Sequence, residues 1–123
     1  MIPEYRPLEK IMVPYNLNGI IEVPVPAGID KNGRKIVGYL WPMHEGKRIP
    51  SDYVEMASGL DKGIFVLATH SWHMAERVEG GYVSKEAAES NKENVRQVIS
   101  QILDNGFKAE TIPEAVENFS HVN

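Results

Sequence analysis

The residues able to move a proton near neutral pH are four histidines, His44, His70, His73 and His121. Two of them close the segment Ile64-Phe65-Val66-Leu67-Ala68-Thr69-His70-Ser71-Trp72-His73. His70 is the first titratable group past a run that reads as a buried strand. In parallel α/β architectures, ligands sit beyond the carboxyl ends of the strands. His70 is therefore a candidate general acid or base; a histidine bonded to a neighbouring loop is the alternative. His70 and His73 also form a possible metal pair. Three-residue spacing in an extended or turning segment does not place both rings on one ion, whereas histidines on a metal-binding helix stand four apart. Glu76 and Glu79 follow, with no evident third ligand. Trp72 offers a ring face for stacking on a sugar, or a core side chain.

Other chemistry is thinner. Ser71 and His70 are adjacent, so in a strand they point to opposite faces, and no nucleophile elbow surrounds Ser71. His44, in Trp41-Pro42-Met43-His44, stands at what reads as another strand end, facing the same mouth or solvent. His121 lies three positions from the last residue and reads as exposed. Glu22 is the one acidic residue inside a strand candidate, directed into a barrel or outward. No glycine-rich phosphate loop or dinucleotide fingerprint is present.

The elements that must position these groups divide the chain. Seven of the eight prolines lie between Pro3 and Pro50, so the first half reads as short strands and irregular connections. Ile20 to Val25 is a strand candidate after the turn Asn18-Gly19, ended or pushed to an edge by Pro24. Ile36 to Trp41 is another, after Lys31-Asn32-Gly33 and before Pro42. A short helix starts at Ser51, with Tyr53, Val54, Ala57 and Leu60 as its apolar face. Ile64 to Thr69 reads as a strand covered on both faces. Gly80-Gly81 reads as a hinge. Ser84 caps a helix over Lys85 to Asp104, whose Val95, Val98, Ile99, Ile102 and Leu103 make one apolar stripe. Asn105-Gly106 ends it, and Phe107 to Ala109 is a short strand candidate. Thr111 and Glu114 form a capping box around Pro113. Ala115, Val116 and Phe119 are the buried side of that last helix. The order is mostly βαβα, an α/β fold class.

Composition narrows the function classes. The chain has 123 residues, 42% of them hydrophobic and 24% charged, the profile of one globular domain, 1–123. It is too short for a complete eight-stranded α/β barrel, which takes about 200 residues or more. The net charge of −4 and the dispersed basic residues argue against a nucleic-acid partner. No apolar stretch approaches the roughly 20 residues of a membrane span. The N-terminus MIPEYRPLEK lacks a signal core. With no cysteine, disulfides, thiolate metal sites and cysteine nucleophiles are excluded.

The run Ile64 to His70 resembles the late apolar strand ending in histidine of the polysaccharide deacetylases, carbohydrate esterases with a chitooligosaccharide-deacetylase homology domain. Upstream, Gly19-Ile20-Ile21-Glu22-Val23-Pro24-Val25 is similar to a strand of that family. Downstream, the helix with Asn91 and Asn94, then Asn105-Gly106-Phe107 and Thr111-Ile112-Pro113-Glu114, follow the family's closing order. The resemblance covers about residues 19–120. It implies a partial (β/α) barrel and metal-dependent hydrolysis of N-acetyl groups on an amino-sugar polymer or oligomer. A divalent metal, commonly zinc, activates water, and a late histidine protonates the leaving amine; by position that histidine is His70. Trp72 and His73 are the expected substrate-binding residues. The family's H-x-x-x-H and aspartate pair, of which the two histidines and one aspartate hold the metal and the other aspartate serves as base, are absent here, and its R-x-x-P-Y-like motif is only faintly echoed by Val13-Pro14-Tyr15. The chain thus resembles the C-terminal half, with no metal ligand assignable to it. Such a half is expected to form homo-oligomers or pair with a missing N-terminal half. The alternative is a non-catalytic carbohydrate-binding or regulatory remnant.

Overall fold

The fold comes from a computed structural model that describes residues 5–77 and 79–120. His121 lies outside them, as does the side chain of Phe119. The described residues form a small mixed α/β domain with three small sheets. β1 (Tyr5–Pro7), β5 (Val25–Ile29) and β6 (Lys35–Val37) make a three-stranded sheet in the order β1-β5-β6. β1 runs parallel to β5, and β6 antiparallel to it, with Ala27 opposite Val37. β2 (Ile11–Met12) pairs in parallel with β7 (Lys62–Gly63), and β3 (Tyr15–Leu17) makes a hairpin with β4 (Ile20–Glu22).

Local chemistry accounts for the turns. Asn18 and Gly19 carry φ of 51° and 87°, the pair of left-handed residues a two-residue hairpin needs. Pro24 ends β4 as expected, and the chain resumes pairing at Val25. The β5–β6 turn is organised by Asp30, whose Oδ1 accepts the amides of Asn32 at 2.8 Å and Arg34 at 2.9 Å. Its other oxygen accepts from Arg48 Nη1 at 2.6 Å, and Arg48 Nη2 donates to the Lys35 carbonyl at 2.7 Å. Both side chains of this pair are only 9% exposed. The guanidinium thus ties the hairpin end to the helix that follows it. The hydrogen bonds from Arg34 and Arg48 hold the Asp30 carboxyl at about 2.

The second expected strand is shorter than its pattern. β6 stops at Val37, and Trp41 opens a short helix, α1 (Trp41–His44), with Pro42 in its first turn. Proline lacks the amide a strand would use but fits the start of a helix. α2 (Pro50–Ala57) likewise begins one residue earlier than Ser51 implies, because Pro50 takes the first helical position. There Asp52 Oδ2, three residues past Ile49, accepts the Ile49 amide at 3.0 Å.

The segment Ile64–Thr69 departs from the expected strand. It is extended alongside parallel neighbours, but it is half-buried and has no continuous ladder. Ile64 N donates to the Met12 carbonyl at 2.7 Å. Near the other end, Ala68 bridges Tyr39 in parallel, with Ala68 N to Gly38 O at 2.8 Å and Leu40 N to Ala68 O at 3.0 Å. Between those bonds no described strand runs beside it. The close approach requires Gly38, where a Cβ would fall 2.8 Å from the Val66 carbonyl oxygen and 2.9 Å from Val25 Cγ1. Phe107–Ala109 likewise pairs with no strand. Phe107 instead sets its ring edge against Phe65, centroids 6.1 Å apart.

The long helix matches its sequence signals. α3 (Lys85–Asp104) starts at Ser84, whose hydroxyl accepts the Ala87 amide at 3.1 Å, and ends at Asn105, with Gly106 at φ 96°. α4 (Ile112–Ser120) carries the reciprocal cap: Thr111 Oγ1 accepts the Glu114 amide at 3.3 Å, and Glu114 Oε1 accepts the Thr111 amide at 3.2 Å. Gly80-Gly81 belongs to a closed turn, with Arg77 N to Gly81 O at 2.9 Å and Gly80 N to Arg77 O at 3.0 Å. Those bonds close the corner that precedes α3.

The core lies where α2, α3, β6 and α1 meet. Tyr53 and Val98 are fully buried, surrounded by Ile36, Leu40, Met43, Met56, Ala57 and Ile102. Only part of the α3 stripe enters it: Ile99 is 47% exposed and Leu103 39%, against 7% for Ile102. Ile102→Ala is therefore expected to cost about 2–5 kcal/mol by leaving a cavity, and Ile99→Ala about 1 kcal/mol or less. Urea unfolding of the two variants checks this; equal losses would put the core on another face of α3.

Candidate functional site

The core hands its order to the site through one hydrogen bond. Tyr53, in α2, donates its hydroxyl to the Tyr39 carbonyl at 2.6 Å. Burial raises the Tyr53 hydroxyl well above its usual range, so it stays a protonated donor. Tyr39 stacks on Trp41, ring centroids 4.4 Å apart and planes 15° apart.

From Trp41 the rings continue into the segment that carries His70. His70 precedes a short 3₁₀ turn over Ser71–Met74, closed by His73 N donating to His70 O at 3.1 Å. That turn rolls Trp72 and His73 back toward α1. His70 stacks on Trp72 at 4.1 Å, with 11° between planes, and lies 6.2 Å from Trp41. His73 packs against Trp41 at 4.9 Å and Trp72 at 5.3 Å. The 3₁₀ turn is tied to α3 by Asn91, whose Nδ2 donates to the Met74 carbonyl at 2.9 Å. Three residues singled out by sequence, His70, Trp72 and His73, thus stand together, with both tryptophans of the chain in the same stack.

Beside the stack is a cleft of about 830 Å³. Trp41, His44, Trp72, His73, Glu76 and Asn91 line it; His70, stacked on Trp72, is not among the lining residues. That volume is in the range of small-molecule sites. His70 and Trp72 are exposed, Trp72 at 51%. Glu22 is not among the lining residues; it sits in the β3–β4 hairpin opposite Tyr15.

His44 is the residue that sequence reasoning left undecided. It faces the cleft from the end of α1 and is half-buried. Both ring nitrogens of His44 and Nδ1 of His73 are buried. The Asn91 side chain hydrogen-bonds the His44 ring as well as donating to the Met74 carbonyl. Desolvation depresses the His44 pKa below 6.5, and the neighbouring His73 adds to this, while Asn91 and Glu45 oppose it.

Among the described residues, no three His, Asp or Glu side chains gather into a metal-binding group. His70 and His73 are 5.3 Å apart by ring centroid and tilted by 52°. The described side chains of this cleft do not gather the ligand set of a metal hydrolase.

The depressed His44 pKa carries a sign. The unfolded chain binds a proton at this site more readily than the folded one, so His44's contribution is complete above about pH 6.5 and declines as pH falls below it. The urea midpoint is expected to fall between about pH 7 and pH 5, and less so in His44→Phe. The Asp30 contribution, with its carboxyl at about 2, is lost only in more acid solution, below 3.8. An identical pH 7-to-5 decline in wild type and His44→Phe would place the titrating group elsewhere.

Compared with known proteins, the chain matches no family model, no curated protein and no solved structure.

Proposed function

We propose that this chain is part of a metal-dependent hydrolase that removes N-acetyl groups from an amino-sugar polymer or oligomer, of the polysaccharide deacetylase type. On this reading the fold is the C-terminal portion of a (β/α) barrel, and the parallel hydrogen bonds of the 62–68 segment to residues 11–12 and 38–40 support it. His70 is the general acid. The observation that carries the assignment is its placement: an exposed imidazole directly after an apolar extended segment, its plane set by stacking on Trp72 at 4.1 Å. In that family a divalent metal would supply Lewis-acid activation of water; among the described residues no three His, Asp or Glu side chains gather to hold one.

The residues here handle the other end of the reaction. Trp72 presents a half-exposed indole face to an apolar sugar face. His73 stands beside it at the edge of the same surface. His70, oriented by the stack, delivers a proton from a ring nitrogen to the departing sugar amine, which leaves as a neutral group rather than an anion.

The exposed apolar side chains support the partner expectation. Ile11, Val13, Ile20 and Ile21 are open along the two-stranded pairs, and Ile99 and Leu103 along α3. On this reading they are covered by a second copy or by the N-terminal half of the barrel. No helix among the described residues is long and apolar enough to cross a membrane.

A second reading, a carbohydrate-binding or regulatory domain without catalysis, is favoured by one observation: the lack of a three-ligand group among the described residues. Acetate release from N-acetylglucosamine oligomers, measured on the whole enzyme, separates the two. His70→Ala is expected to lower turnover by about 10²–10⁴-fold with little change in KM and an unchanged fold by circular dichroism. His73→Ala should act mainly on KM. Turnover unaffected by His70→Ala would remove the acid role, and binding without acetate release would select the second reading.

A further inference from the structure

We propose that the open face of α3 is an interface at which two copies of this chain pair, helix against antiparallel helix, about a two-fold axis through Ile99. The inference goes beyond the hydrolase reading and does not depend on it.

The first observation is a surplus. The apolar stripe of α3 is wider than the core uses. Val98 and Ile102 are buried, whereas Ile99 and Leu103 are open and Val95 is half-buried. Val95, Ile99 and Leu103 stand four apart and so form one ridge along the helix. With Met74 they line a groove of about 530 Å³. Met74 ends the 3₁₀ turn, and its unbranched thioether adapts to whatever packs on it. Single exposed apolar side chains are ordinary, but a continuous ridge beside a groove marks a contact surface.

The second observation selects the occupant. A second ridge, Lys92-Arg96-Ser100-Asp104, borders the same groove, basic at one end and acidic at the other. A strongly acidic or strongly basic partner would meet like charge at one end of it. A second copy laid antiparallel meets opposite charge at both ends. The axis through Ile99 sets Ile99 against Ile99 and Val95 against Leu103, and it brings Arg96 within reach of Asp104 twice. A parallel pair would instead set Arg96 beside Arg96 and Asp104 beside Asp104, which like charges oppose.

The charges of this ridge are available for such pairing. Lys92 pairs with Glu89 and Arg96 with Glu93, but all four side chains are more than half-exposed. Ion pairs in that setting contribute little and are readily exchanged. Asp104 is exposed, and no ion pair among the described residues involves it. From Lys92 to Asp104 the ridge is about 18 Å long. One helix face of that length is smaller than the roughly 800 Å² per partner of a standard interface, so the pair is reversible, with a Kd on the order of 10–100 µM.

The test is sedimentation equilibrium of the full chain from about 5 to 500 µM, a range that brackets that Kd. Wild type should pass from monomer to dimer across it. Ile99→Glu, at an open position outside the core, should weaken the dimer by about tenfold or more. Asp104→Arg and Arg96→Asp should each weaken it by about three- to tenfold, by setting like charges together. The double exchange should restore affinity to within about threefold of wild type. The charge variants supply the answer independently if Ile99→Glu fails to fold. A chain monomeric throughout, or a dimer indifferent to a folded Ile99→Glu, overturns the inference. So does a dimer weakened by each charge change and not restored by the exchange. None of these outcomes touches the hydrolase reading, which acetate release decides.

Discussion

The hydrogen bond from Tyr53 to the Tyr39 carbonyl is the joint on which the site depends. Tyr53 is wholly buried between α2 and α3, where an unpaired hydroxyl would be expensive. Its partner is a backbone carbonyl in the stretch that links β6 to α1. That bond, together with those of Gly38 and Leu40 to Ala68, holds the path of residues 38–41, and Gly38 lets them lie against the 66–68 segment. Tyr39 then stacks on Trp41, and Trp41 on His73. Core packing is converted into the placement of aromatic rings, step by step, without any regular sheet reaching the site.

This arrangement explains why a rigid surface can be built from short elements. β2 and β7 have two residues each and α1 has four. Such pieces have little stability of their own. They are held by side chains that reach across: Arg48 from the α2 approach to the β5–β6 turn, and Asn91 from α3 to the 3₁₀ turn. In each case a buried or half-buried polar group satisfies backbone atoms that no helix or ladder supplies.

Apolar surface is distributed unevenly. α3 buries Val98 and Ile102 and leaves Ile99 and Leu103 open, while the β3–β4 hairpin carries exposed Ile20 and Ile21. The described residues thus make a domain whose ring cluster is assembled on its own core, with apolar side chains open on α3 and on the β3–β4 hairpin.

What the sequence determined by itself was local. The Ser84 cap, the Asn105-Gly106 stop, the Thr111–Glu114 box and the Asn18-Gly19 turn were all legible because each depends on atoms within a few residues. The grouping of His70 with Trp72 and His73 was legible for the same reason, since one short turn contains them. Tertiary structure decided the rest. Ile64–Thr69 has the composition of a central strand, yet a ladder needs neighbours, and residues 11–12 and 38–40 meet only its ends. Phe107 reads as a strand residue until Phe65 is found beside it. His44 reads first as a surface residue and only second as a site residue, because its burial is set by α3 and the 3₁₀ turn, some thirty to fifty positions away in the chain. Spacing encodes contacts between neighbours; which faces meet across the fold depends on the whole set of elements competing for one core.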